Sequence, residues 1–211
     1  MQKIILDNLE EIGQQTLEML KGPIVALSGG STYKALLRFW AAHEKVKSMS
    51  FFPVDERLVG FDEEGNNWRV AYDNFFVPAG IPEQKDHLAT GAEQFEALLK
   101  EEVGDPIVID QVFLGMGDDG HTASLFPGGE YLDDHEVAVL ETTSPKPPFP
   151  RVSLGLKSIW AASELIVVIP GANKASLVQR LLDGDTSLPI TLAVQGHPDP
   201  ILFLDRAAAG E

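Results

Sequence analysis

Three polar clusters in this chain combine residue types that can do chemistry, and each follows a short apolar run. The first is Ser28-Gly29-Gly30-Ser31-Thr32. Paired glycines let a main chain turn tightly and approach an anion with no side chain in the way. Hydroxyls from Ser31 and Thr32, and the free amides of a helix starting there, add donors and a partial positive charge. The segment can serve as a phosphate cradle, while taken alone it reads more readily as an ordinary strand-to-helix turn with a Ser/Thr cap. It is not a Walker loop, because no lysine follows the glycines in that pattern. The second cluster is Asp55-Glu56-Arg57. A guanidinium such as Arg57 can orient an anionic or hydroxylated ligand, although the triplet alone also reads as solvated charge. The third runs from Gly115 to Gly128 around Asp119-Gly120-His121. Histidine is the natural general base near neutral pH, the aspartate can hold the imidazole or a ligand hydroxyl, and the flanking glycines leave His121 accessible. The alternatives are an Asp-His metal pair and a plain helix start at Thr122. No second histidine stands at metal-ligand spacing, so no metal is expected. Arg151, after a proline-rich loop, and Lys174, at a helix start, are further cations placed for an anion.

The apolar pattern must supply the frame that brings these clusters together. Residues 4–20 carry Ile5, Leu9, Ile12 and Leu20 at near-helical spacing and predict an amphipathic helix that Gly22-Pro23 stops. Ile24–Leu27, Phe51–Val54, Val112–Met116, Leu165–Ile169 and Ile201–Leu204 read as buried strands. Val137–Leu140 and Arg151–Leu154 read as shorter ones around the proline-rich loop. Helices are expected after Thr32, over Trp68–Phe76, over Glu93–Glu102 and over Lys174–Leu182. This alternation predicts an α/β fold, a mostly parallel sheet with helices on both faces, in a single domain over residues 1–211. Ligands of such sheets bind beyond the carboxyl ends of the strands, which is where all three clusters fall.

Composition sets the outer limits. Hydrophobic residues make up 44% of the 211, enough for a full core. A net charge of −16, from 32 acidic and 16 basic residues, repels nucleic acid and anionic membranes. Any phosphate site must therefore be local, made of backbone amides and a few cations acting within about 10 Å. No run reaches the roughly 20 apolar residues of a membrane helix, no signal-peptide layout opens the chain, and there are no cysteines. A cytoplasmic location is the expectation.

Taken together, "LSGGST", "VDER", the Asn66-Asn67 pair, "LGMGDDGHTASLFPG", "KPPFPRVSLG", "GANKA" and "FLDRAAAG" resemble the 6-phosphogluconolactonase family through nearly the whole chain. The resemblance implies the fold shared by glucosamine-6-phosphate deaminase, ribose-5-phosphate isomerase A and CoA transferases. It implies hydrolysis of 6-phospho-D-glucono-1,5-lactone, the second step of the oxidative pentose phosphate pathway, with no cofactor. His121 would activate water, Asp119 would orient it or the sugar, and Arg57 would act near the reacting end. Gly29, Gly30, Ser31 and Thr32, with Arg151 and Lys174, would hold the phosphate. Asp55 and Asn67 would bind substrate, with Asn66 an ambiguous neighbour of Asn67. A monomer or weak homodimer is expected. Tyr33 departs from the family, which commonly has proline there, a residue favourable but dispensable in a first helical turn. An amino-sugar phosphate deaminase would share the cradle and the Asp-Gly-His segment. It continues with an Asn-Glu-Pro-like stretch where this chain has Ser124-Leu125-Phe126-Pro127, so its proton-shuttling glutamate is missing. A non-catalytic sugar-phosphate sensor is the reading from another class, and the joint presence of Arg57, Asp119 and His121 argues against it.

Overall fold

Val, Ile, Leu and Phe dominate the short apolar runs, and these runs become the strands of one parallel sheet. The computed structural model describes residues 1–148 and 150–211. The chain opens with β1 (Gln2–Leu6), α1 (Leu9–Met19), β2 (Ile24–Leu27), α2 (Gly30–Trp40), β3 (Ser50–Pro53) and β4 (Asp55–Arg57). Next, α3 (Asn67–Ala71) runs through a π-helical turn, Tyr72–Phe76, into α4 (Val77–Ala79). The remainder is α5 (Ala92–Val103), β5 (Gln111–Leu114), β6 (Val139–Thr143), β7 (Pro150–Leu154), α6 (Leu156–Ala161), β8 (Glu164–Ile169), α7 (Ala175–Leu182), α8 (Pro189–Gly196), β9 (Ile201–Asp205) and α9 (Arg206–Ala209). Phe149, in the proline-rich stretch, lies outside the described residues.

Six strands pair in the order β1-β9-β8-β5-β2-β3, every pair parallel. Successive side chains along a strand point to opposite faces, and both faces here are covered. Val112, Leu114, Leu165 and Val167 enter one core cluster, while Phe113, Ile166, Val168 and Phe203 enter the other. The second cluster is aromatic: Trp40 meets Phe113 edge-on at 5.2 Å between ring centroids, and Phe51 meets Phe75 at 5.0 Å. Truncating a residue such as Phe113, fully buried, is expected to cost about 3–5 kcal/mol. Among the described residues no helix is long and apolar enough to cross a membrane. The expected mostly parallel α/β architecture is the one observed.

Two local expectations change. Residues 4–6 are strand, not helix: Ile4 registers with Phe203 in β1·β9, and α1 begins after Asn8, whose side chain accepts the Glu11 N–H. A short edge strand carries too little alternation to stand apart from the helical stripe that follows it. Asp55–Arg57 is itself a strand, in a small antiparallel sheet of order β4-β7-β6. There Arg57 faces Arg151 across the ladder.

Candidate functional site

An open cavity of about 680 Å³ lies at the carboxyl ends of the parallel strands. The segments after β2, β5 and β8 line it, joined by the last residue of β9, by β4 and by the start of α3. Of the sequence-selected residues, Gly29, Gly30, Ser31, Thr32, Asp55, Arg57, Asn67, His121 and Lys174 line it directly.

The Ser28–Thr32 segment carries no Ser/Thr cap. Gly29 is the N-cap of α2 with no side-chain bond, and the first turn holds no acidic residue. By contrast, α1, α3 and α9 are capped by Asn8, Asn66 and Asp205. Orphan amides of a first helical turn need an acceptor, so those of α2 are left available at the cavity. Glycine at position 29 makes room for Asn67, since a Cβ there would come 2.3 Å from its Nδ2 and the carboxamide or the loop would have to shift. Tyr33 donates its hydroxyl to the Leu114 carbonyl at 3.0 Å and so ties α2 to the end of β5. Ser28 Oγ accepts the Gly115 N–H at 3.3 Å.

From β5 the chain enters the turn that carries His121. The Gly117 N–H donates to the His121 carbonyl at 2.8 Å, and the imidazole packs against Gly117, where a Cβ would sit 2.1 Å from the ring. His121 Nδ1 is 2.5 Å from Asp119 Oδ1, which also accepts the His121 N–H at 3.1 Å. Burial works against the charge of Asp119, yet the His121 main-chain N–H and imidazole hold its carboxyl below the ordinary value. A carboxylate on Nδ1 assigns the proton to that nitrogen and leaves Nε2 as the basic atom. Thr122 starts no helix; its hydroxyl donates to the Gly115 carbonyl at 2.9 Å and closes the turn.

The small antiparallel sheet supplies the opposite wall. Asp55 is buried, and its Oδ2 accepts the Ser124 hydroxyl at 2.6 Å, while Ser124 N–H reaches Ser153 Oγ at 3.2 Å. Arg57 donates to the Gly65 carbonyl. Asn67 is the asparagine on the cavity; Asn66 is buried and accepts the Arg69 N–H at 2.7 Å as the N-cap of α3.

Lys174 is largely covered and pairs with Asp118, Nζ to Oδ1, at 2.5 Å; this pairing holds the Asp118 carboxyl below its usual range. Arg151 is not among the described lining residues. Its guanidinium is buried, donates to the Pro148 carbonyl, and is held below its usual pKa by burial and by the neighbouring Arg57 charge. Sequence reasoning left Glu56, Asp118, Asn173 and Asp205 without roles. Glu56 gave no usable local signal, because a three-residue strand shows only as a charged triplet. Asp118, Asn173 and Asp205 become cavity neighbours only through tertiary contacts.

The comparisons with known proteins converge on one family. The sequence profile described as glucosamine-6-phosphate isomerases/6-phosphogluconolactonase matches residues 3–202. The chain is 33% identical over 202 residues to the 6-phosphogluconolactonase of Rattus norvegicus, covering 88% of this chain and 79% of that one. To 6-phosphogluconolactonase 3, chloroplastic, of Arabidopsis thaliana it is 30% identical over 210 residues, covering 89% of this chain and 64% of the plant protein. The crystal structure of 6-phosphogluconolactonase from Leishmania guyanensis has a TM-score of 0.84 at 26% identity, covering 99% and 97% of the two chains. A monomeric glucosamine-6-phosphate deaminase shares the fold, with a TM-score of 0.79 at 19% identity over 100% and 99% of the chains. A profile match running from β1 into β9 takes in nearly every strand end that builds the cavity, and the chain belongs to the glucosamine-6-phosphate isomerase/6-phosphogluconolactonase family.

Proposed function

We propose that this protein hydrolyses 6-phospho-D-glucono-1,5-lactone to 6-phospho-D-gluconate in the oxidative pentose phosphate pathway, in the cytoplasm. The observation that carries the reading is the His121–Asp119 pair, 2.5 Å apart, with His121 lining a cavity that also holds the uncapped start of α2 and Lys174. The pair is a general base with a fixed tautomer; the helix start and the lysine are an anion seat.

In this reading the substrate phosphate lies on the amides of Gly30, Ser31 and Thr32 with Lys174 as its cation, displacing Asp118 from the lysine. Arg151 lends its charge from behind Arg57. His121 Nε2 takes a proton from water as the water oxygen bonds to C1. The C1–ring oxygen bond then breaks, and the imidazolium returns the proton to the leaving ring oxygen. Arg57, Asp55 and Asn67 hold the sugar hydroxyls and the carbonyl end. A base so placed supplies about 10²–10⁴-fold. The test is a coupled lactonase assay with a blank for spontaneous hydrolysis. Wild-type turnover above the blank, lost in His121→Ala, is the expected result; turnover unchanged in His121→Ala removes the base assignment.

A further inference from the structure

Glu56 sits between two cavity residues and points away from them. Asp55 and Arg57 line the cavity, whereas the Glu56 side chain, on the other face of β4, is fully buried. A buried carboxylate is unfavourable unless its oxygens are hydrogen-bonded. Its partners are three main-chain N–H groups. Oε1 accepts from Arg57 at 2.7 Å and from Asn67 at 2.8 Å, and Oε2 accepts from Trp68 at 2.5 Å.

Capping α3 does not require this arrangement. Asn66 already serves as the N-cap, accepting the Arg69 N–H at 2.7 Å, which is the usual solution. What the carboxylate adds is a junction between the two ends of the loop over residues 58–66. Arg57 stands at one end and Asn67 at the other, and both side chains face the cavity. Arg57 returns to the same loop through the Gly65 carbonyl. Asn67 in turn lies against Gly29, with the spacing so close that a Cβ at position 29 would meet its carboxamide. The arrangement works against burial, which pushes the Glu56 carboxyl up to about 7 in spite of the three N–H donors, with the nearby Asp55 charge adding to the rise. A fully buried carboxyl with three main-chain donors goes beyond the needs of a five-residue helix that Asn66 already caps.

We propose that Glu56 is a positioning residue for the reaction: by binding the Arg57 and Asn67 amides it holds both side chains in register with the Gly29–Thr32 loop, without touching substrate. The proposal rests on the lactonase reading and adds to it a residue that acts only through its neighbours.

The test is Glu56→Gln, compared with Asn66→Ala. A carboxamide has one acceptor oxygen, so at least one of the three N–H groups must face an NH₂ group. For Glu56→Gln at pH 8, the expected result is a fall in kcat of about tenfold to a hundredfold. KM should change less than kcat, because Lys174 and the amides of α2 do not depend on Glu56. The Tm should stay within a few degrees of the wild type. Asn66→Ala should do the reverse, lowering Tm through the lost cap while kcat stays within about twofold. A wild-type kcat in Glu56→Gln overturns the proposal, and so does a kcat lost only in step with the folded protein. Wild-type turnover is measured in the same assay. Its absence would remove the lactonase reading and this proposal with it, an outcome distinct from an effect confined to the variant.

Discussion

The Nδ1 atom of His121 lies 2.5 Å from Oδ1 of Asp119, and that same oxygen accepts the His121 main-chain N–H at 3.1 Å. One carboxylate oxygen thus fixes the ring and the backbone of the residue that carries it. Asp119→Asn removes the charge while keeping the shape, so the imidazole loses its preference for the Nδ1–H tautomer. The expected outcome is a kcat lowered about 10²-fold or more, with 6-phosphogluconate affinity by calorimetry kept within about threefold. Equal losses in turnover and affinity would count against the tautomer role.

At Gly29 the constraint is steric. A Cβ would sit 2.3 Å from the Asn67 amide nitrogen and 2.4 Å from its Cγ. Gly29→Ala must therefore displace either the anion loop or Asn67. An increase in KM of at least about tenfold is expected, with a stability loss of about 1–3 kcal/mol by denaturant titration. A KM indistinguishable from the wild type would count against substrate contact by both the loop and Asn67.

Lys174 is covered by its pairing with Asp118, whose side chain remains 77% exposed. Lys174→Ala should raise KM with a smaller change in kcat, because the phosphate is held throughout the reaction. Asp118→Asn should lower KM about two- to fivefold, since a pair whose aspartate is exposed is weak but must be broken before an anion can bind. Steady-state kinetics at fixed ionic strength decide both; a higher KM in Asp118→Asn would mean that Asp118 assists Lys174 and does not compete with the phosphate.

Glu56 gives the fold a pH dependence with a defined sign. Its folded pKa, about 7, lies above the ordinary value of 4.5, so the folded chain binds the proton more tightly than the unfolded one. The stability this group contributes is fully present below about 4.5 and is lost as pH rises through about 7. Glu56→Gln does not titrate. The stability of the variant relative to the wild type should grow by about 3 kcal/mol between those limits, read from paired urea denaturations. A difference that stays flat with pH would mean that the three N–H donors fully offset burial.

Thr191 offers a simpler test of packing. Among the described residues, its Oγ1 is the one buried side-chain polar atom without a hydrogen-bond partner. Thr191→Val keeps the shape and removes the unsatisfied hydroxyl, so a gain of about 1 kcal/mol is expected. A lower Tm would point to a water bound at that hydroxyl.

Much of the site was legible locally. The glycines at 29 and 30, the Asp119-Gly120-His121 segment and the apolar strands before them are short-range signals, set by backbone freedom and side-chain periodicity within a few residues. Lys174 was selected on its place at a helix start and Asn67 on the family resemblance alone, and both line the cavity. Less legible was β1, an edge strand whose apolar residues merge into the pattern of α1. The three-residue β4 was hidden too, because a strand so short shows only as a charged triplet.

What the sequence by itself determined is most of the strand-helix alternation, the glycine turn at residues 29 and 30 and the Asp119-Gly120-His121 segment, because each depends on residues adjacent in the chain. Tertiary structure decided which charges face solvent, which face the cavity and which are buried. It set Arg151 beneath Pro148 beside Arg57, turned Glu56 into the interior onto three amides, and brought Asp118 onto Lys174. Those outcomes depend on desolvation and on pairings between distant segments, and no local pattern encodes either.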